Sequence, residues 1–340
     1  MKIRLLLCLF VYGCLVRDPS VAQQTPQRPC DVPVVVTRFV PSSGSVELVK
    51  DLGASDFTAQ LGTVPATIAG ASIDSGPKRI ALILDASSGI PEDEWKLETA
   101  MAAQLLRQAR PKDTFFLLFV GMDNPIAPPL TPNEAVGKVL EAASARPPAT
   151  LLGERVYDTL SAAASRLSPP KFGDVLFLFG HPDDSGSKSD PEKVMSFILR
   201  NGLRFYGISF SDPLTGKLPP GFNLNHPLPA GLGPPQLAKM TAATGYPFSF
   251  HSVASLNMPG QVGLFESFLS DLYAGIAEPY RLSIPVANSS GQIRLNISVT
   301  NLKERKVSER DVHFPHFIYL LPAKVGAAAT ALNSEELFAR

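Results

Sequence analysis

Cysteine is scarce. The 340 residues contain three, at positions 8, 14 and 30. Cys8 and Cys14 fall in a segment that reads as an export signal, so a processed chain keeps Cys30 alone. That excludes an internal disulfide and a structural zinc site built from thiolates. In an oxidising compartment the leftover thiol is either buried and inert or paired with a partner. An excess of one charge is also missing. The 31 Lys and Arg are matched by 31 Asp and Glu and scattered singly. Phosphate binding needs concentrated basic charge, so DNA and RNA are excluded as partners. No apolar run reaches the about 20 residues that cross a bilayer, so no transmembrane helix is expected in the mature chain. The Gly-x-Ser-x-Gly elbow, the Gly-rich phosphate loop and the zinc-protease helix motif are absent as well. Ser185-Gly186-Ser187-Lys188 matches the Ser-x-x-Lys of penicillin-interacting enzymes in letters only, because it sits in a polar turn and not at a helix start.

What is there suits a folded protein. Hydrophobic residues make up 45% and charged residues 18%, enough for a core and unlike a disordered chain. The length fits two domains, or one with an elaboration. Lys2 and Arg4 precede an apolar run from Leu5 to Val16, and Ser20-Val21-Ala22 offers small residues to a signal peptidase. Cleavage after Ala22 predicts a secreted or periplasmic protein. The alternative is a lipoprotein cut before Cys14.

The periodicity predicts an α/β middle flanked by β segments. Val34 to Phe57 reads as strand, turn and strand. Ile80 to Leu84, Thr114 to Val120, Val175 to Phe179 and Leu203 to Phe210 are strands, most of them unbroken apolar runs of the kind buried on both faces. Between and around them, helices are predicted over Trp95 to Arg110, Asn133 to Ala145, Arg155 to Leu167 and Pro191 to Arg200. This alternation implies right-handed crossovers and a doubly wound, mostly parallel sheet. Ser211 to Pro235 is a long Pro- and Gly-rich loop. Gln236 to Thr244 reads as a helix, Pro247 to Ser252 as a strand and Leu264 to Ala277 as a closing helix. Tyr280 to Pro285, Gln292 to Thr300 and His316 to Leu321 return to strand periodicity. The expected divisions are a signal at 1–22, an N-terminal β segment at 30–76, the α/β domain at 78–277, a C-terminal β segment at 278–322 and a flexible tail at 323–340. The two β segments either join in one sandwich, into which the α/β domain is inserted, or form separate flaps. The joint sandwich is the more economical.

In open α/β sheets, ligands bind beyond the carboxyl ends of the strands. That directs attention to Asp85-Ala86-Ser87-Ser88-Gly89, which resembles the start of the metal-ion-dependent adhesion site of von Willebrand factor A domains. Gly53-Ala54-Ser55-Asp56-Phe57, Val156-Tyr157-Asp158, Thr244-Gly245 and Glu278-Pro279-Tyr280 extend the likeness. Together they look like the secreted A-domain-related proteins of Acidobacteria. The resemblance implies a Rossmann-type fold and a hard cation, Mg²⁺ or Mn²⁺, held by a carboxylate and hydroxyls with one position open for a partner.

Three of the implied ligands are missing. Gly89 replaces the third hydroxyl of the first loop, Gly153-Glu154 stands where a threonine is usual, and Gly180-His181-Pro182-Asp183 replaces an aspartate. Two readings of Asp85 and Ser87 follow. In one the site is dead and Asp85 orders its own loop. In the other Glu154 substitutes for the threonine and joins Asp85 and Ser87 around a metal.

The expected function is a non-catalytic binding or adhesion module, contacting a protein or cell-surface ligand through Asp85, Ser87, Ser88, Glu154 and Asp183. The alternatives are a hydrolase using the carboxylates of Asp85, Glu154 and Asp183, and a structural part of an envelope assembly.

Overall fold

The computed structural model describes residues 28–40, 45–87, 89–148, 154–180, 184–210, 237, 240, 243–244, 248–251, 261–286, 290–300, 307 and 311–320. The segment predicted as an export signal, the loop predicted at Ser211 to Pro235, the tail predicted from Ala323, Ser88 and Asp183 lie outside these residues.

The middle of the chain is a doubly wound α/β unit. Its strands are β6 (Arg79–Asp85), β7 (Thr114–Val120), β8 (Val175–Gly180), β9 (Arg204–Phe210) and β10 (Phe248–His251). All pair in parallel, in the order β10-β9-β8-β6-β7. Ile80 to Leu84 have no solvent exposure, as an apolar run with helices on both faces requires. Even-numbered Ile80, Leu82 and Leu84 pack with α1 (Glu92–Arg107), α2 (Pro132–Ser144) and the closing helix α5 (Gln261–Ala277). Odd-numbered Ala81 and Ile83 pack with α3 (Val156–Arg166) and α4 (Pro191–Arg200). Of the helix predicted at Gln236 to Thr244, the described residues Leu237, Met240, Ala243 and Thr244 are helical and buried.

Local chemistry sets the helix starts. Thr131 and Glu134 form a reciprocal capping box at α2, and Asp190 accepts the Glu192 and Lys193 N–H groups at α4. Each follows the usual hydroxyl or carboxylate preference at a helix start.

The β segments join as predicted. The remaining strands are β1 (Arg28–Val40), β2 (Ser45–Leu48), β3 (Phe57–Leu61), β4 (Val64–Ala66), β5 (Gly70–Ile73), β11 (Tyr280–Val286), β12 (Gly291–Val299), β13 (Val312–His313) and β14 (Phe317–Leu320). One sheet runs β13-β1-β11-β5 with β2 paired to β1, and the other runs β14-β12-β3-β4. Both sheets combine N- and C-terminal strands, alternating in the first and meeting at the β12–β3 pair in the second, so neither β segment completes a sheet alone. Their facing sides enclose a single core that includes Val32, Val34, Phe57, Leu282, Ile284 and Ile297. Cys30 lies half-buried in β1 opposite Ile284, against this core. Among the described residues, no helix is long and apolar enough to cross a membrane.

Candidate functional site

The sheet reverses its winding around β6. From there the chain reaches β7 on one side and β8 on the other. The crevice of a doubly wound sheet opens at that point, and the residues that top it are Asp85 and Gly180.

Asp85 is fully buried. Its Oδ1 accepts the Ser87 N–H at 3.0 Å, and its own N–H donates to Glu98 Oε1 in α1. Two glycines close the crevice over this loop. Gly180 has a φ of 143°, and a Cβ there would collide with the Asp85 Cβ. Gly121, at the end of β7 with a φ of 78°, would bring a Cβ to 3.0 Å from the Ser87 Cα. Both positions need glycine for its conformation and for its lack of a side chain. The family aspartate expected at the end of β8 is therefore replaced by a residue whose missing side chain is filled by Asp85 itself.

Ser87 is 3% exposed, and its Oγ has no hydrogen-bond partner among the described residues. Its carbonyl accepts the Ile90 N–H at 3.3 Å and also Arg146 Nη2. Arg146 Nη1 donates to the Ile90 carbonyl at 2.6 Å, and the guanidinium lies 5.3 Å from the centre of the Trp95 ring. An arginine from the segment after α2 thus straps down the loop that follows Asp85.

Glu98 is fully buried beside Asp85. Burial pushes its carboxyl well above the usual range, and the neighbouring Asp85 and Glu94 add to that, against the Asp85 N–H bond and the pull of Arg146. Its second oxygen has no hydrogen-bond partner among the described residues.

Glu154 stands over the same loop. Its Oε1 is 3.2 Å from where a Cβ on Gly89 would lie, so the missing side chain at Gly89 makes room for this carboxylate. The turn after β8 holds Glu154 in place. The Ser185 and Gly186 N–H groups donate to the Glu154 carbonyl at 3.1 and 2.9 Å. Asp184 accepts the Val156 N–H at 2.8 Å and the Ser187 hydroxyl at 2.6 Å, while Ser187 Oγ accepts the Asp158 N–H at 3.1 Å. The Ser185 to Lys188 run is therefore a remote cap for α3, in keeping with its reading as a polar turn. Beside it the buried Tyr157 hydroxyl is pushed up to about 12 by burial and by the Asp184 charge.

The structure brings Asp85, Ser87 and Glu154 to one loop, while Ser88 and Asp183 lie outside the described residues. Sequence reasoning did not find Arg146, Glu98 or the two closing glycines. A signal existed only for Glu98, an acid on the apolar stripe of α1.

These residues fit a divalent cation poorly. Mg²⁺ demands near-octahedral oxygen coordination and keeps several of its waters. Here the central carboxylate is sealed by Gly180, and Arg146 already brings positive charge to the loop. Among the described residues, no three His, Cys, Asp or Glu side chains converge on a metal position.

An Asp-x-Ser loop at the switch point of a doubly wound parallel sheet is now in view. The fold is von Willebrand factor A-like. Neither a protein-family model nor a curated protein sequence matches the chain. Solved structures do. The von Willebrand factor type A protein of Catenulispora acidiphila is 9% identical over 87% of this chain and 75% of that one, with a TM-score of 0.43. Proximal thread matrix protein 1 of the mussel byssus is 15% identical over 62% of this chain, with a TM-score of 0.42. This chain spans 49% of that protein's length. The TRAP protein of Plasmodium vivax is 10% identical over 68% of this chain and 81% of that one, with a TM-score of 0.37.

Proposed function

We propose that the chain is an exported, non-catalytic binding module. It engages a protein or cell-surface ligand through the loops at the carboxyl edge of its von Willebrand factor A-like sheet, without calling on a divalent cation. One observation carries this reading: the Asp85 to Ser87 loop is packed shut between Gly121 and Gly180 and strapped by Arg146. A loop so held leaves no open coordination position and no room for a substrate at Asp85. It does make a rigid platform for the half-exposed groups above it, of which Glu154 is one. A hydrolase using Asp85 as acid or base would need that carboxylate within hydrogen-bond reach of a substrate, and its complete burial argues against this.

The test is capture from envelope fractions of the source by the immobilised full chain, in excess Mg²⁺ and in chelator. Glu154→Arg serves as the edge variant. Capture is expected to be equal in both buffers and to fall at least about tenfold for Glu154→Arg, the scale of one lost interfacial charge contact. Capture abolished by chelator would overturn the metal-free reading, and capture indifferent to Glu154→Arg would remove the carboxyl edge as the binding surface.

A further inference from the structure

A sheet edge invites pairing with another chain unless something blocks it. Beside β7 the chain's own segment pairs Leu130 with Phe115 and closes Phe119 through Asn124. At β2 the Val46 N–H is taken by Asp271 of α5. At β4 the Gly62 N–H donates to Arg294, so even-numbered residues of β3 face β12 and the bonded pairs with β4 are Leu61–Val64 and Ala59–Ala66. Pro65 between them points outward, where it has no N–H to offer.

β5 has no such closure. The Asp74 N–H donates to the Pro279 carbonyl at 2.8 Å, and the register continues through Ile73–Tyr280, Ser72–Arg281 and Ala71–Leu282. Bonded residues alternate along an antiparallel pair, so Ser72 and Asp74 face β11, while Ala71 and Ile73 turn their N–H and C=O groups away from it. Those groups meet no partner among the described residues. The run stops at Ala69, whose N–H donates to the Ser283 carbonyl at 2.8 Å. Ala71 and Ile73 pack half-buried against the sandwich core, Ser72 is exposed on the other face, and a Cβ on Gly70 would meet nothing within 4 Å.

We propose that β5 is a self-recognition edge, at which a second copy of the chain adds its own β5, antiparallel, about a two-fold axis through Ser72. The spacing of the free rungs names the occupant. They lie one residue to either side of Ser72, so this axis sets Ala71 of each copy opposite Ile73 of the other, and each pair exchanges both of its bonds. An axis through Ala71 or Ile73 would match one rung and set the other against groups beyond the free run. In the Ser72 register the apolar side chains of Ala71 and Ile73 extend both cores, and Gly70 leaves room for the Asp74 side chain opposite it. The edge belongs to the sandwich and does not depend on how the carboxyl edge of the α/β sheet is used.

An edge of 4 residues buries less than the about 1,200 Å² of a standard interface, so the dimer is expected to be weak, half-formed between about 1 and 100 μM. Sedimentation of the full chain from about 1 to 500 μM reads association, and hydrogen exchange by NMR reads the β5 amides. Mass should rise toward that of two chains. Exchange at Ala71 and Ile73 should slow together by about fivefold or more across the series, while Ser72, bonded to β11 in either state, keeps its rate. Ala71→Pro removes one outward N–H from each copy, leaves the β11 pairs intact, and should weaken association about tenfold or more. Ser72→Glu sits beside Arg281 in its own chain but sets two carboxylates face to face on the axis, and should weaken association as well. The proposal is overturned if the chain stays monomeric to about 500 μM, if it dimerises with exchange at Ala71 and Ile73 unchanged, or if both variants dimerise as wild type does. Mass and exchange are read on the unaltered protein, so a poorly folded Ala71→Pro would not shield the idea.

Discussion

Glu98 is an acid where the helix asks for an apolar side chain. It follows Trp95 and precedes Ala102 and Leu105 on the inward stripe of α1, and like them it is fully buried. Burial, then Asp85 and Glu94, raise its carboxyl well above the usual range. The folded chain therefore holds this proton more tightly than the unfolded chain, where a glutamate titrates near about 4.3. The stability gained from the protonated form is fully present below the unfolded value and is lost as pH rises through the folded one. Within that window the slope approaches about 1.4 kcal/mol per pH unit for one proton. Glu98→Gln keeps an oxygen for the Asp85 N–H and has no proton to lose. It should melt higher than wild type at neutral pH, with the difference closing as pH falls toward about 4. A difference that stays flat from neutral to acid pH would show that Glu98 does not titrate in this environment. At this scale the sequence disclosed Asp85, Ser87 and Glu154 through a loop pattern. Arg146 left no trace, because it bonds to the carbonyls of Ser87 and Ile90, and backbone acceptors impose no residue pattern that spacing could reveal.

Strands buried on both faces were the most legible elements. β6 and β8 are unbroken apolar runs, and burial at every position of β8 leaves no other side chain acceptable there. The β4 and β5 strands went unread, since they lie at sheet ends with little burial to enforce an alternation, and Val64 is 64% exposed. β1 begins at Arg28, ahead of the strand start expected at Val34. From Arg28 to Val34 its paired strand among the described residues is β11. Pro29 and Pro33 are both odd-numbered, so their missing N–H groups fall on one edge, where proline is tolerated in a strand. The start of α3 illustrates a cap supplied from far along the chain. No side chain of its own N-cap residue, Arg155, closes the helix, and Asp184 bonds the Val156 N–H instead. Asp184→Ala should cost about 1 kcal/mol, the usual worth of a cap, read as a lowered melting temperature. Asp184→Asn keeps an acceptor oxygen and should recover most of it. An unchanged melting temperature for the alanine variant would mean that the turn after β8 does not hold α3, nor Glu154 through it.

At the scale of the whole molecule, β1 belongs to two cores at once. Val34 and Val36 face the sandwich interior, while Val35 between them packs into the α/β core. Gly275 of α5 lies so close that a Cβ on it would come within 3.2 Å of Val35 Cγ1. Polar contacts cross the same seam. The His316 N–H, just ahead of β14, donates to the Ala243 carbonyl of the α/β unit at 2.9 Å, and the Arg281 guanidinium of β11 lies 4.0 Å from the centre of the Phe172 ring, ahead of β8. Opening either core would strip one face of β1 and leave the other without support. The chain is therefore expected to unfold in one calorimetric transition, with calorimetric and van't Hoff enthalpies in agreement. Val35→Ala, which deletes two buried methyl groups at the seam, should lower that single transition by about 2 kcal/mol of stability and not split it. Val35→Asp places a carboxylate in the α/β core while leaving the sandwich face of β1 intact, and should be several-fold more damaging. Two transitions in wild type, only one of them moved by Val35→Ala, would show that sandwich and α/β unit fold independently and that the alternation along β1 joins them in contact but not in stability.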